Sequence, residues 1–123
     1  MRRSCIIFDE STAMLDPVGR REVMDIIEKL NREEHITVLH ITHYMTEAVR
    51  ADRVIVMDRG HILMDGTPRK VFSQPEKLWA AHLDVPQTTE LLYAMRQHGL
   101  DVRLDIFDPD ECASEIAAAI SRR

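Results

Sequence analysis

The sequence predicts an α/β fold built on a parallel sheet, followed by a small helical extension at the C-terminus. Three observations carry this. Short apolar, β-branched runs at 4–8, 36–42 and 53–58 alternate with helical patterns at 17–33 and 45–50, and parallel neighbours need such crossovers. Three helical segments open on a capping residue followed by proline: Asp16-Pro17, Thr67-Pro68 and Asp108-Pro109. Beyond Gln74-Pro75 the periodicity is helical throughout, which divides the chain into residues 1–73 and 74–123.

Taken in order, SCIIF (4–8) is apolar on both faces, the pattern of the interior of a parallel sheet. After Asp16-Pro17, Val23, Ile27 and Leu30 recur at helical spacing while Arg20, Arg21, Glu28 and Lys29 face outward, an amphipathic helix over 17–33. ITVLHIT (36–42) is the second strand, and a short helix at 45–50 carries Glu47 and Arg50. RVIVMD (53–58), a turn at Arg59-Gly60 and HILMD make a hairpin. Thr67-Pro68 starts a short helix to about 73, and helices follow at 76–82, 87–98 and 109–121. Trp79 is expected to anchor the two parts on each other.

Apolar residues make up 45% of the 123, enough for a folded core; aromatics are 5%, so that core is aliphatic. A net charge of −5 speaks against a broad nucleic-acid footprint, and no nucleic-acid partner is expected. The basic pairs Arg2-Arg3, Arg20-Arg21 and Arg69-Lys70 are short, lie beside acids and read as solvated faces. Cys5 and Cys112 have no C-x-x-C spacing and read as buried free thiols in a reducing compartment. No signal peptide is visible, and no apolar run approaches the ~18 residues of a membrane span. A soluble, cytoplasmic protein is expected, able to dock on a membrane protein.

The chemistry gathers at CIIFDESTAMLDP. A short apolar strand ending in Asp9-Glu10 puts two carboxylates at the carboxyl edge of a parallel sheet, where α/β proteins bind ligands. One can hold Mg²⁺, and its neighbour can polarise a water. Alone the pair reads as a solubilising strand end. A second strand ends at Thr42-His43, however, and His43 projects from the same edge, where it can stabilise phosphate charge.

Together these stretches resemble a family. CIIFDE looks like the Walker B strand of ATP-binding cassette (ABC) ATPases, AMLDP like their D-loop, and ITHYMTEA like their switch or H-loop. ADRVIVMDRGHILMDGTPRKVF is similar to the segment that closes that domain. THYMTEA, FSQPEKL and LDVPQTTELLYAMRQHGLDV point to the ATPase subunits of energy-coupling factor (ECF) and cobalt-type importers. The resemblance implies an ATPase coupling hydrolysis to uptake of a vitamin or metal ion, with ATP and Mg²⁺ as cofactors. It implies that Asp9 holds Mg²⁺, Glu10 is the base, His43 contacts the γ-phosphate, and Asp16 lies in the loop that crosses to a second ATPase subunit. It implies two kinds of partner, that second ATPase subunit as a homo- or heterodimer and a transmembrane coupling subunit. It therefore implies a place at the inner face of the cell membrane. Ala13 stands where many relatives have Ser, and Tyr44 where Asp is commoner.

The fold so implied is a partial P-loop sheet. The chain has four glycines and no Gly-Lys pair, so it lacks the G-x-x-x-x-G-K-[S/T] loop. The glutamine loop and the signature segment are also absent, and on this resemblance all three would precede residue 1. The strand of the phosphate loop would sit between 36–42 and 53–58. The isolated chain is therefore expected to be marginally stable or self-associating, without tight MgATP binding. Two other readings remain open. One is a metal-dependent hydrolase using His40, His43, Asp9 and Glu10, although His40 and His43, three apart on a strand, point to opposite faces. The other is a non-catalytic interaction module presenting Leu91, Leu92 and Met95 or Ile116 and Ile120.

Overall fold

In the computed structural model, residues 4–122 are described, so the Arg2-Arg3 pair lies outside them. Strand β1 (Cys5–Asp9) runs into a turn-rich loop and then into helix α1 (Pro17–Glu33), as the cap signature predicts. The Asp16 carboxylate accepts the Gly19 amide at 2.8 Å and so satisfies one orphan donor of the first turn. Met24 and Ile27 are the buried residues of α1. The helix ends where His35 turns left-handed (φ +55°) and the Ile36 amide bonds back to the Leu30 carbonyl at 3.3 Å.

Strand β2 (Thr37–Ile41) then pairs with β1 in parallel, Cys5 opposite Thr37 and Asp9 opposite Ile41. The alternation of the pleat divides the pair. Ile6, Phe8, Val38 and His40 are half-buried, and β2 packs against α1. Cys5, Ile7, Leu39 and Ile41 are exposed, Ile7 at 62% and Leu39 at 48%. This corrects the expectation of a strand covered on both faces. It also corrects the expected burial of the Cys5 thiol, which stands on the uncovered face with Ile7, whereas Cys112 is buried as expected.

After the short helix α2 (Met45–Ala48), strands β3 (Val54–Asp58) and β4 (His61–Gly66) form an antiparallel hairpin. Arg59 and Gly60 both take positive φ (51° and 79°), the geometry a two-residue turn needs to match the strand twist. The Arg53 guanidinium grips Asp65 across the hairpin through two hydrogen bonds. Helices α3 (Pro68–Phe72), α4 (Pro75–Ala80), α5 (Gln87–Gln97) and α6 (Pro109–Ser121) complete the chain, with Thr67 and Asp108 capping α3 and α6 as their sequences predict.

Among the described residues the architecture is thus mixed α/β, with one two-stranded parallel and one two-stranded antiparallel sheet. The chain forms two compact units, one ending at Glu47 and the other starting at Ala48. The hairpin therefore shares a unit with the helices that follow it, because Met64 on β4 and Val71 and Phe72 on α3 are buried there and α3 packs on β4. In the same unit a core gathers Leu92, Val102, Leu104, Ile106, Cys112 and Ala119. Val102, Leu104 and Ile106 alternate inward from an unpaired extended segment between α5 and α6, a contribution that helical periodicity does not reveal. Trp79 meets Tyr93 edge-on at 4.9 Å within the helical region, so its ring contact joins α4 to α5.

The uncovered β1–β2 face has a measurable consequence. A contiguous apolar strip of this kind is expected to drive association. In sedimentation velocity, Ile7→Lys with Leu39→Lys is expected to shift the chain toward monomer. An unchanged distribution would show that the strip is not the contact.

Candidate functional site

The first unit brings the chemistry-bearing residues to the carboxyl ends of β1 and β2. Asp9 closes β1 opposite Ile41. Glu10 extends the ladder by one bond, its amide donating to the Ile41 carbonyl at 2.8 Å, and then turns left-handed at φ +51°. A non-glycine residue there costs roughly 1–3 kcal/mol, and such strain concentrates at functional sites. The Ala13 amide bonds the Glu10 carbonyl at 3.1 Å and the Leu15 amide bonds the Thr12 carbonyl at 3.0 Å, giving the loop a fixed path to Asp16.

On the neighbouring strand, the Thr42 hydroxyl accepts the Tyr44 amide at 3.0 Å and turns the chain out of β2. That turn presents His43. Its Nδ1 lies 3.1 Å from Glu10 Oε1, with side-chain exposures of 65% and 51%. The Tyr44 ring stacks on the His43 ring at 4.5 Å, and the Arg20 guanidinium lies 4.0 Å from the Tyr44 centroid. Glu10 and His43, 33 positions apart, thus meet at the solvent-facing edge. Asp16 stands exposed in the same unit, its carboxylate engaged as the α1 cap.

Beneath this edge lies a residue to which the sequence gives a helix position and no role. Glu47 is 2% exposed. Its Oε2 accepts the Thr12 hydroxyl at 2.6 Å, and its Oε1 lies 2.8 Å from both the Thr42 hydroxyl and His40 Nε2. Burial by itself would raise the Glu47 carboxyl; the bonds from Thr12, His40 and Thr42, with the His40 charge, outweigh burial and hold it below the ordinary glutamate value. The local sequence carries one signal: His40 and Thr42, two apart and so on the same side of the strand end, are half-buried polar side chains that each need a polar partner.

The histidine of β2 and the histidine of the turn after it are therefore divided. His40 is committed to Glu47 and His43 faces Glu10. Among the described residues no three His, Cys, Asp or Glu side chains gather as a metal cage. The donor set at the edge is instead hard oxygen from Asp9 and Glu10, exposed and short of a full shell. That fits Mg²⁺, which takes one or two carboxylates and completes its shell with water and phosphate oxygens. It does not fit a zinc hydrolase, which needs three protein ligands.

No protein-family model matches the chain. Individual proteins do. It is 54% identical over 116 residues to the energy-coupling factor transporter ATP-binding protein EcfA1 of Clostridioides difficile, covering 94% of this chain. It is 56% identical over 111 residues to the protein of the same name from Caldanaerobacter subterraneus, covering 90%. The chain is homologous to ECF transporter ATP-binding proteins, over their C-terminal part. The EcfA1 of Symbiobacterium thermophilum aligns over 122 residues at 44% identity, 99% of this chain. The chain spans about two-fifths of the length of these ECF relatives, 42%, 40% and 42% respectively. No helix of the described residues is long and apolar enough to cross a membrane.

Proposed function

We propose that this chain is the C-terminal part of the ATP-hydrolysing subunit of an ECF-type importer, with residues 1–73 closing the ATPase domain and 74–123 a helical extension. The observation that carries the reading is the meeting of Glu10 with His43 at 3.1 Å beside Asp9, at the carboxyl edge of a parallel strand pair. When bound, Mg²⁺ would neutralise charge on the ATP phosphates, and Asp9 is the residue that would hold it.

In this reading Glu10 is the base. Its carboxylate is exposed, so it can take a proton from a water that it orients. His43 meets Glu10 through Nδ1 and offers Nε2 to the terminal phosphate. Tyr44 stacked on the imidazole limits its rotation. Asp16, exposed at the end of the loop that carries Thr12 and Ala13, reaches toward a second ATPase subunit. The remaining partner is a membrane-embedded coupling subunit, so the working location is the inner face of the cell membrane. The transported solute, a vitamin or a metal ion, is chosen by other subunits.

These 123 residues contain no glycine-rich Gly-Lys-Ser/Thr loop, so the phosphates must be held by residues outside this sequence. Isothermal titration of the 123-residue chain with MgATP is therefore expected to give a Kd above the millimolar range, weaker than about −4 kcal/mol. Micromolar binding would overturn this division of labour. An interaction module without chemistry remains the second reading, and the strained, charge-bearing Glu10 argues against it.

A further inference from the structure

We propose that Glu47 is a positioning residue: its buried carboxylate ties the loop after β1, through Thr12, to the turn after β2, through Thr42, and thereby holds His43 against Glu10. The inference rests on the reading of Glu10 and His43 above, but the contact it explains can be measured without turnover.

The two tied segments are the two that carry the reactive pair. Thr12 follows Glu10 by two residues and Thr42 precedes His43 by one. The surface contact cannot order itself: Glu10 and His43 are about half-exposed or more, and an exposed pair restrains two side chains weakly. The order comes from beneath. Thr12 is 0% and Glu47 2% exposed, so their 2.6 Å bond is charge-assisted and shielded from water.

The residue type matters. One carboxylate oxygen serves Thr12 while the other serves Thr42 and His40 together. An acceptor-only group with about four lone-pair sites satisfies three donors at once, from the loop after β1, from β2 and from the turn after it. The Thr42 oxygen also accepts the Tyr44 amide, so the Glu47 bond and the turn that aims His43 share one atom. Above, Arg20 also spans the two segments, donating from Nε to the Leu15 carbonyl at 3.2 Å while lying on the Tyr44 ring. A shift of Thr12 therefore moves Glu10 relative to His43, and misplacement of catalytic groups by an ångström can cost up to about 10²-fold in rate.

Histidine-selective 13C/15N labelling of the full chain in its native assembly tests this through the NOE between the His43 ring and the Glu10 side chain. Thr12→Val keeps the shape and removes the hydroxyl; Thr12→Ser does the reverse. The NOE is expected in the native protein and in Thr12→Ser, and lost in Thr12→Val and Glu47→Ala. A packing role for Thr12 predicts the opposite order. In turnover, Thr12→Val is expected to lower kcat with KM unchanged, and Thr12→Ser to restore it. Retention of the NOE in Thr12→Val, its absence from the native protein, or unfolding of both Thr12 variants would overturn the proposal. Normal turnover by Glu10→Gln would instead overturn the ATPase reading and leave the NOE result standing.

Discussion

On the proposed ATPase reading, Glu10→Gln is expected to lower ATP hydrolysis by about 10²–10⁴-fold in the assembled transporter, with nucleotide binding retained. The argument is chemical. The amide keeps the size and most of the hydrogen-bonding reach of the carboxylate, so the Glu10–His43 contact at 3.1 Å can persist with the imidazole donating. What disappears is a base that can take a proton from water. Binding should be spared because the phosphates are held elsewhere and Asp9, one residue earlier, is the Mg²⁺ ligand in this reading. Steady-state phosphate release and equilibrium nucleotide binding on the same preparation separate the two effects. An unchanged rate would remove Glu10 from the mechanism; lost binding would make it a ligand.

Glu47→Ala is the second large effect, and it falls on stability. The substitution deprives Thr12, Thr42 and His40 of their common acceptor in a buried setting. Unsatisfied buried donors cost about 1–3 kcal/mol each, so a loss of roughly 3–5 kcal/mol is expected. That is a large share of a domain stability of about 5–15 kcal/mol. The midpoint of urea unfolding checks it, and a shift of only a few tenths of a kcal/mol would mean that water replaces the carboxylate.

The same residue sets an acid limit. The folded Glu47 carboxyl lies below its ordinary value despite burial. Its contribution is therefore fully present above the unfolded glutamate value of about 4.3, and lost as pH falls through the lower folded value. Stability of the native protein should drop below about pH 4, and Glu47→Ala should flatten that part of the profile.

The sequence by itself determined what local physics controls. Asp16-Pro17 set the start of α1 because a capping carboxylate and a fixed φ act within one turn, and Asp108-Pro109 did the same for α6. The Arg59-Gly60 turn followed from the same local rules. Asp9, Glu10 and His43 were legible because each ends an apolar run, and a run's end marks the sheet edge. Tertiary structure decided what depends on distant segments. Whether a face of β1 is covered is set by what packs on it, so Cys5 and Ile7 stand exposed although their run is as apolar as any core strand. The hairpin fell into one unit with the helices after it because Met64, Val71 and Phe72 are buried there, and no local pattern encodes that. Glu47 reads from sequence as a residue of a short helix, with no role attached. Only the pairing of β1 with β2 brings Thr12 to it across 35 positions, and only burial turns an ordinary glutamate into the acceptor that organises the site.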